Sequence, residues 1–229
     1  MPRSSRILAA VSTAALIGAA ASAAPAGAAT ITVPSCVVDY GAAAQIPSLP
    51  ISGTGFTPGG GVNISYASTA NPSPGLLGST DTDAAGNFSA NSLPVPFKSA
   101  TTKQQAFVLA ATDAVNPAIT AATQFQQVRF GASANPSKGR AKHKVHYTAR
   151  GFTIGLPVYM HFRFHGKTKK TVRLATAKPP CGIATRKLKL LPTKVRYGTW
   201  KVYIDQSKTY NKNTVIQAVG QITITKVFS

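Results

Sequence analysis

Few side chains in this sequence are suited to catalysis. The chain has no glutamate, and its only acids are five aspartates: Asp39, Asp81, Asp83, Asp113 and Asp205. Hydrolysis by paired carboxylates needs two acids beside one bond, and only Asp81 and Asp83 are close in sequence. The chain has no G-x-S-x-G nucleophile motif and no phosphate-binding loop. A nucleophilic Cys181 paired with a histidine stays open, although its P-P-C-G context is typical of a turn with a structural cysteine. We therefore expect no enzymatic activity and no cofactor.

Metal ligands are also poorly placed. His161 and His165 share one face of a predicted strand, but four strand residues separate them by about 13 Å, so one ion cannot bind both. The spacing of Asp81, Asp83 and Gly86 resembles the start of a calcium loop, yet an EF-hand needs ligands at its fifth and twelfth positions that are missing here. The same residues are typical of a tight turn in which aspartate bonds local amides. We expect a turn there and no metal site.

Positive charge is concentrated in the second half of the chain. Residues 30–129 carry three lysines and arginines against four aspartates, a net charge of −1. Residues 130–229 carry 20 lysines and arginines against Asp205 alone, a net charge of +19, together with all four histidines. Unpaired like charges destabilise a compact state, so this excess is unusual for simple solubility. The asymmetry predicts a polyanionic partner for the second half.

The N-terminus has the features of a secretory signal peptide. Arg3 and Arg6 precede a short alanine-rich apolar run that ends in small residues and a proline. Cleavage after Ala23 or Ala28 would fit the A-x-A pattern, and we favour Ala28. An uncleaved membrane anchor is the alternative, but the run is short for a bilayer-spanning helix. We expect residues 1–28 to be removed and the mature chain to be secreted or associated with the cell envelope.

A repeat divides the mature chain into two parts. Ile51–Tyr66 (ISGTGFTPGGGVNISY) and Tyr147–Phe164 (YTARGFTIGLPVYMHFRF) share a Gly-Phe-Thr core, a second glycine and a valine without a gap. Both parts continue with short alternating segments between turn residues, which is typical of an all-β sandwich. GTWKVYID is laid out like AFVLAATD, so Asp205 would correspond to Asp113. The serine- and proline-rich stretch Ala67–Ser79 is predicted to be a loop.

These motifs resemble the bacterial immunoglobulin-like domains of exported proteins, of the IPT/TIG-like kind. GTGFTPGGGVNISY, DAAGNF and VLAATDAVNP carry the resemblance in the first half, and the same order recurs in the second. The layout is also similar to the neocarzinostatin-like sandwich, which implies seven strands, a ligand cleft and two disulfides within one domain. The first half has only Cys36. The resemblance implies two tandem immunoglobulin-like β-sandwich domains, residues 29–129 and 130–229.

Strand alternation in the second half separates a core face from an outward face. Every second residue from Val158 to Phe164 points inward, and Trp200 occupies a further core position. In an immunoglobulin-like topology the strands of His161 and Tyr203 are neighbours, the strand of Arg173 lies at an edge, and residues 166–170 form a basic hairpin tip. Basic and aromatic side chains on one face suit anionic polymers. The predicted polyanion-binding surface comprises Tyr159, His161, Arg163, His165, Lys167, Lys169, Lys170, Arg173, Lys201 and Tyr203.

The two cysteines, Cys36 and Cys181, lie in different halves of the chain. Export permits a disulfide, and a bond between them would join the halves. Two buried or partly buried thiols are the alternative, because sequence alone does not show whether the residues meet.

We interpret the chain as an exported, non-enzymatic binding or structural protein of bacterial type. Its second half would associate with an anionic cell-envelope polymer or surface, while binding to nucleic acid is possible but non-specific. No transmembrane segment is predicted in the mature chain. The alternative is a small-ligand carrier with a cleft between outer strands. A solvated basic face without a partner, a structural spacer and a secreted antimicrobial protein are further interpretations, the last disfavoured because no amphipathic basic helix is predicted.

Overall fold

The computed structural model describes residues 28–41, 48–68, 71–94, 102–137 and 139–225. The predicted signal peptide, apart from Ala28, lies outside these residues. Within them the chain forms β-strands and no helix, which confirms the all-β prediction. It follows that the described ranges contain no helix of the length and apolar character needed to cross a membrane.

Fifteen strands make up the described parts of the chain. In order they are β1 (Thr30–Thr32), β2 (Cys36–Asp39), β3 (Ser48–Thr54), β4 (Gly61–Ser68), β5 (Asn71–Asp81), β6 (Phe88–Pro94), β7 (Gln104–Asp113), β8 (Thr120–Arg129), β9 (Gly131–Asn135), β10 (Lys144–Arg150), β11 (Pro157–Phe164), β12 (Lys167–Thr176), β13 (Ala184–Lys189), β14 (Gly198–Asp205) and β15 (Ala218–Ile224).

These strands form four sheets, two in each half of the chain. The first half has a sheet of order β1-β3-β6 and a sheet of order β2-β8-β7-β4-β5. The second half has a sheet of order β13-β10-β9 and a sheet of order β12-β11-β14-β15. Neighbouring strands are antiparallel except β2 and β8, which are parallel. Each half also has its own cluster of buried apolar side chains, an arrangement compatible with a β-sandwich.

The local geometry of the repeat recurs in both halves. The N–H of Phe56 donates to the carbonyl of Gly86 at 3.1 Å, and the N–H of Phe152 donates to the carbonyl of Gly182 at 3.3 Å. Both phenylalanine rings are buried. Gly86 and Gly182 have φ of 75° and 59°, and a Cβ on either would overlap the carbonyl oxygen of the phenylalanine that it faces. Only glycine fits this turn, so the repeat extends beyond the Gly-Phe-Thr core.

The turn predicted at Asp83 and Gly86 is confirmed. The Asp83 carboxylate accepts hydrogen bonds from the backbone N–H groups of Ala85 at 2.9 Å and Asn87 at 2.8 Å. The Asn87 N–H makes the largest contribution to lowering the pKa of Asp83, because the bonded donors favour the ionised form. The aspartate therefore serves the turn itself.

The predicted core alternation in the second half is also confirmed. The inward residues of β11, from Val158 to Phe164, are buried at every second position, and Trp200 on β14 is fully buried. The Trp200 ring packs on Phe164 with centroids 4.8 Å apart, and its N–H donates to the carbonyl of Arg196 at 3.0 Å. Both the apolar ring and the polar N–H are thus satisfied.

The loop predicted over Ala67–Ser79 is wrong. β5 occupies most of this stretch and pairs with β4, with register irregularities near Tyr66. β5 is the last strand of its sheet, and an edge strand tolerates proline because its outer N–H groups have no neighbour to bond. The serine, proline and glycine content of this stretch therefore led to the prediction of a loop where an edge strand forms.

A disulfide joins the two halves. Cys36 in β2 bonds Cys181 in the turn before β13, with Cα atoms 5.3 Å apart and 145 residues between them in sequence. Nearby, the ring of Phe130 lies between Tyr40 and Phe152, with centroid distances of 5.3 and 5.2 Å. The structure thus shows the bonded arrangement of the cysteines, in which Cys181 is not a free nucleophile.

Candidate functional site

The register of the four-stranded sheet brings most of the predicted binding residues together. Arg163 on β11 lies opposite Lys201 on β14, and His161 lies opposite Tyr203. On the other side of β11, Tyr159 pairs with Arg173, which is on the edge strand β12. The predicted neighbourhood of these strands is confirmed.

His161 does not reach the surface, so its predicted contact with a polymer is wrong. Its side chain is fully buried on the outer side of the sheet. Nδ1 lies 3.0 Å from the Thr171 hydroxyl and Nε2 lies 3.2 Å from the Asp205 carboxylate. The Tyr210 ring contacts the imidazole with centroids 5.8 Å apart. The segment after β14 therefore covers this part of the face. Strand alternation predicts on which side of the sheet a residue lies, but not whether another segment packs over it.

Asp205, the only acidic residue of the second half, has its carboxylate hydrogen-bonded to other residues of the protein. It is fully buried. Besides His161, its carboxylate accepts hydrogen bonds from the Ser207 N–H at 2.9 Å and the Gln217 side-chain amide at 2.8 Å. Because residues 130–229 contain no other Asp or Glu, the ionisable side chains exposed in residues 139–225 are cationic or neutral.

The predicted correspondence of Asp205 with Asp113 is off by one residue. Asp113 lies opposite Val62, on the core side of β7, whereas Asp205 lies opposite Tyr159, on the outer side of β14. Asp113 accepts the Thr57 N–H at 2.6 Å. In the second half the equivalent bond goes from Thr153 to the side-chain oxygen of Gln206 at 3.1 Å. Gln206 thus performs the structural role of Asp113.

Asp113 is held ionised by backbone donors. The N–H of Asn116 contributes most, followed by that of Thr57, and together with the N–H of Val115 they lower the pKa of Asp113 to about 2. The acid fixes the turn after β7 to the Gly-Phe-Thr segment.

On the outer face, the Arg163 guanidinium contacts two tyrosine rings and a backbone carbonyl. Its guanidinium carbon is 3.9 Å from the centroid of the Tyr210 ring and 5.6 Å from that of Tyr203. One terminal nitrogen donates to the carbonyl of Gly166. The tip that holds this carbonyl is the two-residue turn His165-Gly166, with φ of 47° and 73°. Positive φ at both positions is the pattern of a type I′ hairpin.

A cavity of about 290 Å³ opens beside this arginine. Its lining carries two cations, an imidazole and two hydroxyl groups: Arg163, His165, Gly166, Thr199, Lys201 and Tyr203. Four of these six residues belong to the predicted polyanion-binding set, and Gly166 and Thr199 join them through the hairpin turn and the alternation of β14.

Lys167, Lys169 and Lys170 do not form the hairpin tip that was predicted. They belong to strand β12, and all three are exposed. The register pairs Lys167 with Phe164 and Lys170 with Phe162, on the core-facing side of the sheet, and Lys169 falls at a register irregularity. Long lysine side chains at an edge strand reach solvent from such positions. They add positive charge along the edge but do not share the outward face of Arg163.

A second basic cluster lies on the other sheet of this half. Lys144 on β10 lies opposite Lys189 on β13, and His146 lies opposite Lys187. All four side chains are exposed. This cluster was not predicted, although the alternation of β13 puts Lys187 and Lys189 on one face of the strand. The sandwich topology was the signal that would have joined them.

A third feature is an apolar cavity of about 160 Å³ at the edges of β9 and β15. Met160, Val202 and Ile204 from one sheet and Ala134 and Tyr147 from the other are among the residues that line it. The Tyr147 hydroxyl donates to the carbonyl of Leu190 at 2.6 Å, and burial raises the pKa of Tyr147.

The sequence also predicts no metal site. The described ranges hold no group of three or more His, Cys, Asp or Glu side chains arranged to bind a metal ion.

Comparison with known proteins gives no family assignment. No protein-family model and no curated protein matches this chain. Among solved structures, a tetra-tandem repeat from the extending region of a large adhesion protein matches with a TM-score of 0.30 and 14% identity over 85% of this chain and 49% of that one. Escherichia coli alpha-2-macroglobulin activated by porcine elastase matches with a TM-score of 0.40 and 11% identity over 86% and 22% of the two chains. The chain thus spans about half or less of the length of these proteins. Because both TM-scores are below 0.5, these matches assign neither a fold nor an activity to the chain.

Proposed function

We propose that this chain is an exported, non-enzymatic protein of two tandem immunoglobulin-like sandwiches, whose second half binds anionic polymers of the cell envelope. In this proposal the signal peptide is removed near Ala28 and the two domains divide near residues 129 and 130. The recurring turn geometry and the separate apolar cores support two domains of one kind.

One observation carries the binding proposal. Asp205 is buried and bonded, so no aspartate or glutamate side chain balances the exposed lysines and arginines of residues 139–225. Two unit charges 4 Å apart repel by about 1 kcal/mol even in water, and directly opposed like charges destabilise a sheet. Lys144 and Lys189 form such a pair, as do Arg163 and Lys201. A polyanion relieves this repulsion and gains entropy from its released counterions.

The test is binding of the mature chain to purified anionic wall polymer at increasing salt. We expect tight retention at low ionic strength and a linear fall of log K with log salt, by about 0.7 to 0.9 per ionic contact. Residues 29–129 are near neutral and serve as the comparison once they are shown to fold alone. Absence of retention at low ionic strength would refute the proposal. Equal binding to DNA of any sequence would show that the partner is recognised by charge alone.

A small-ligand carrier is the second candidate, and the apolar cavity between β9 and β15 favours it. A site of about 150 Å³ can bind a ligand the size of benzene, and this cavity has a similar volume. It lies between the sheets, whereas the sequence predicted a cleft on the outer strands. Native mass spectrometry of the secreted protein would detect a copurified ligand. Bare protein, with no thermal shift from small apolar compounds, would exclude the carrier.

A further inference from the structure

The cavity beside Arg163 combines the chemical groups of an anion site. It lies at the end of the outer face of β11 and β14, next to the hairpin turn. Cations come from Arg163 and Lys201, and hydroxyl groups come from Thr199 and Tyr203. A volume of about 290 Å³ is at the small end of ligand sites and suits one charged group with part of the unit that carries it.

Among the described residues, no carboxylate forms an ion pair with either of the two cations. Arg163 and Lys201 are direct cross-strand partners. The nearest acid along β14 is Asp205, four residues from Lys201, or about 13 Å of strand. Its oxygens are already bonded to His161, Ser207 and Gln217. An external anion is therefore the counter-charge that this end of the sheet requires.

Arg163 is held in place before any ligand arrives. The Tyr210 ring stacks on the guanidinium at 3.9 Å, and the Gly166 carbonyl accepts one of its N–H groups. Fixing a side chain in advance reduces the entropy lost on binding. A planar guanidinium also presents paired donors that match the oxygens of a phosphate or sulfate group.

The hairpin turn places the His165 side chain in the wall of the cavity. His165 has φ of +47°, a conformation that side chains other than glycine rarely adopt. Its imidazole lines the cavity. The type I′ turn accounts for this φ, and the turn places a third nitrogen-bearing side chain beside the two cations.

We propose that this cavity binds a single tetrahedral oxyanion, the phosphate or sulfate ester group of the anionic polymer. This inference rests on the proposed function and makes it more specific. Arg163 and Lys201 supply the charge, while Thr199, Tyr203 and His165 donate to the remaining oxygens. The other basic residues of the second half then bind the polymer through charge alone.

The experiment follows the Arg163 side chain directly by NMR during titration of the full mature chain with methyl phosphate and methyl sulfate. The Arg163 Nε–H is buried and has no acceptor among the described residues, so its resonance reports a new anion on the same guanidinium. We expect saturable shifts with one or both esters and at least tenfold weaker binding of acetate. Saturation by only one ester identifies which one the site takes. Shifts that stay linear for both esters, or acetate binding of equal strength, would overturn the inference.

Three variants separate binding from folding. Arg163→Gln removes the donors and should abolish saturation, whereas Lys103→Gln, which removes one exposed charge from the first half of the chain, should leave the affinity unchanged. His165→Gly relieves the positive φ, so it should raise the melting temperature while weakening ester binding several-fold. Ester affinity that is unchanged in both Arg163→Gln and His165→Gly would overturn the site.

If the polymer is retained with a steep salt slope but no ester saturates, this inference fails and the proposed function stands. If an ester saturates but the polymer is not retained, the proposed function fails and the oxyanion site stands.

Discussion

Replacing Asp205 with asparagine tests the buried network that lies under the outer face of the second half. The carboxylate takes hydrogen bonds from His161 at 3.2 Å, from the Ser207 N–H at 2.9 Å and from Gln217 at 2.8 Å. Asparagine preserves the volume, so no cavity forms. It replaces one acceptor oxygen with an NH₂ group, so at least one of the three donors then faces another donor.

The magnitude follows from burial. A buried donor without a partner costs about 1 to 3 kcal/mol, and more where the lost acceptor is a carboxylate. His161 and Asp205 are both fully buried, so solvent does not screen the loss. Because one acceptor oxygen remains, we expect Asp205→Asn to lower the free energy of unfolding by about 2 to 4 kcal/mol.

The assay is urea unfolding followed by far-UV circular dichroism and by the fluorescence of Trp200, the only tryptophan. The matched control is Asp39→Asn, since Asp39 pairs with Arg129 at 3.3 Å in a partly exposed position. Such a pair contributes about 1 kcal/mol or less. A loss below about 1 kcal/mol for Asp205→Asn, or a loss equal to that of the control, would refute the argument from burial.

Three further predictions concern stability. Trp200→Ala should lower the unfolding free energy by about 3 to 5 kcal/mol, measured by chemical denaturation; a change below about 1 kcal/mol would contradict its core role. Asp113 has a folded-state pKa of about 2, below its ordinary value of 3.8, so its contribution to stability is complete above about pH 4 and is lost as the pH falls towards 2. Thermal melts across this range should show a flatter pH dependence in Asp113→Asn, and identical curves would disprove the prediction. Gly182→Ala would overlap the Phe152 carbonyl and should prevent normal folding, whereas Gly155→Ala meets open space and should cost about 1 kcal/mol; similar expression and melting of the two would contradict the fit of this turn.

Local periodicity was enough to predict the inward faces of β11 and β14. β11 spans Pro157–Phe164 and so contains the predicted alternation from Val158 to Phe164. The inward side chains of β11 and β14 are buried because a period of two must place apolar residues on one side of a sheet. The Gly-Phe-Thr repeat also recurs as the same turn, because only glycine fits beside the phenylalanine carbonyl.

Burial on the outer side and the exact register could not be read in the same way. His161 is covered by Tyr210, which lies in a stretch between β14 and β15 that has no periodic pattern. A one-residue offset moved Asp205 to the opposite face from Asp113. Both features depend on long-range pairing, since a shift of one residue exchanges the two faces of a strand.

The most direct test of polyanion binding compares two charge-matched triple variants of the mature chain. Arg163, Arg173 and Lys201 lie on the outward face of β11, β12 and β14, whereas Lys167, Lys169 and Lys170 lie along the β12 edge. Changing either set to glutamine removes three charges. The measured quantity is the slope of log K against log salt for anionic wall polymer. Binding across the outward face of β11, β12 and β14 predicts that the first triple variant lowers the slope by about 2 to 3 and that the second lowers it less. A wild-type chain that is not retained at low ionic strength, or a slope that neither variant changes, would contradict it.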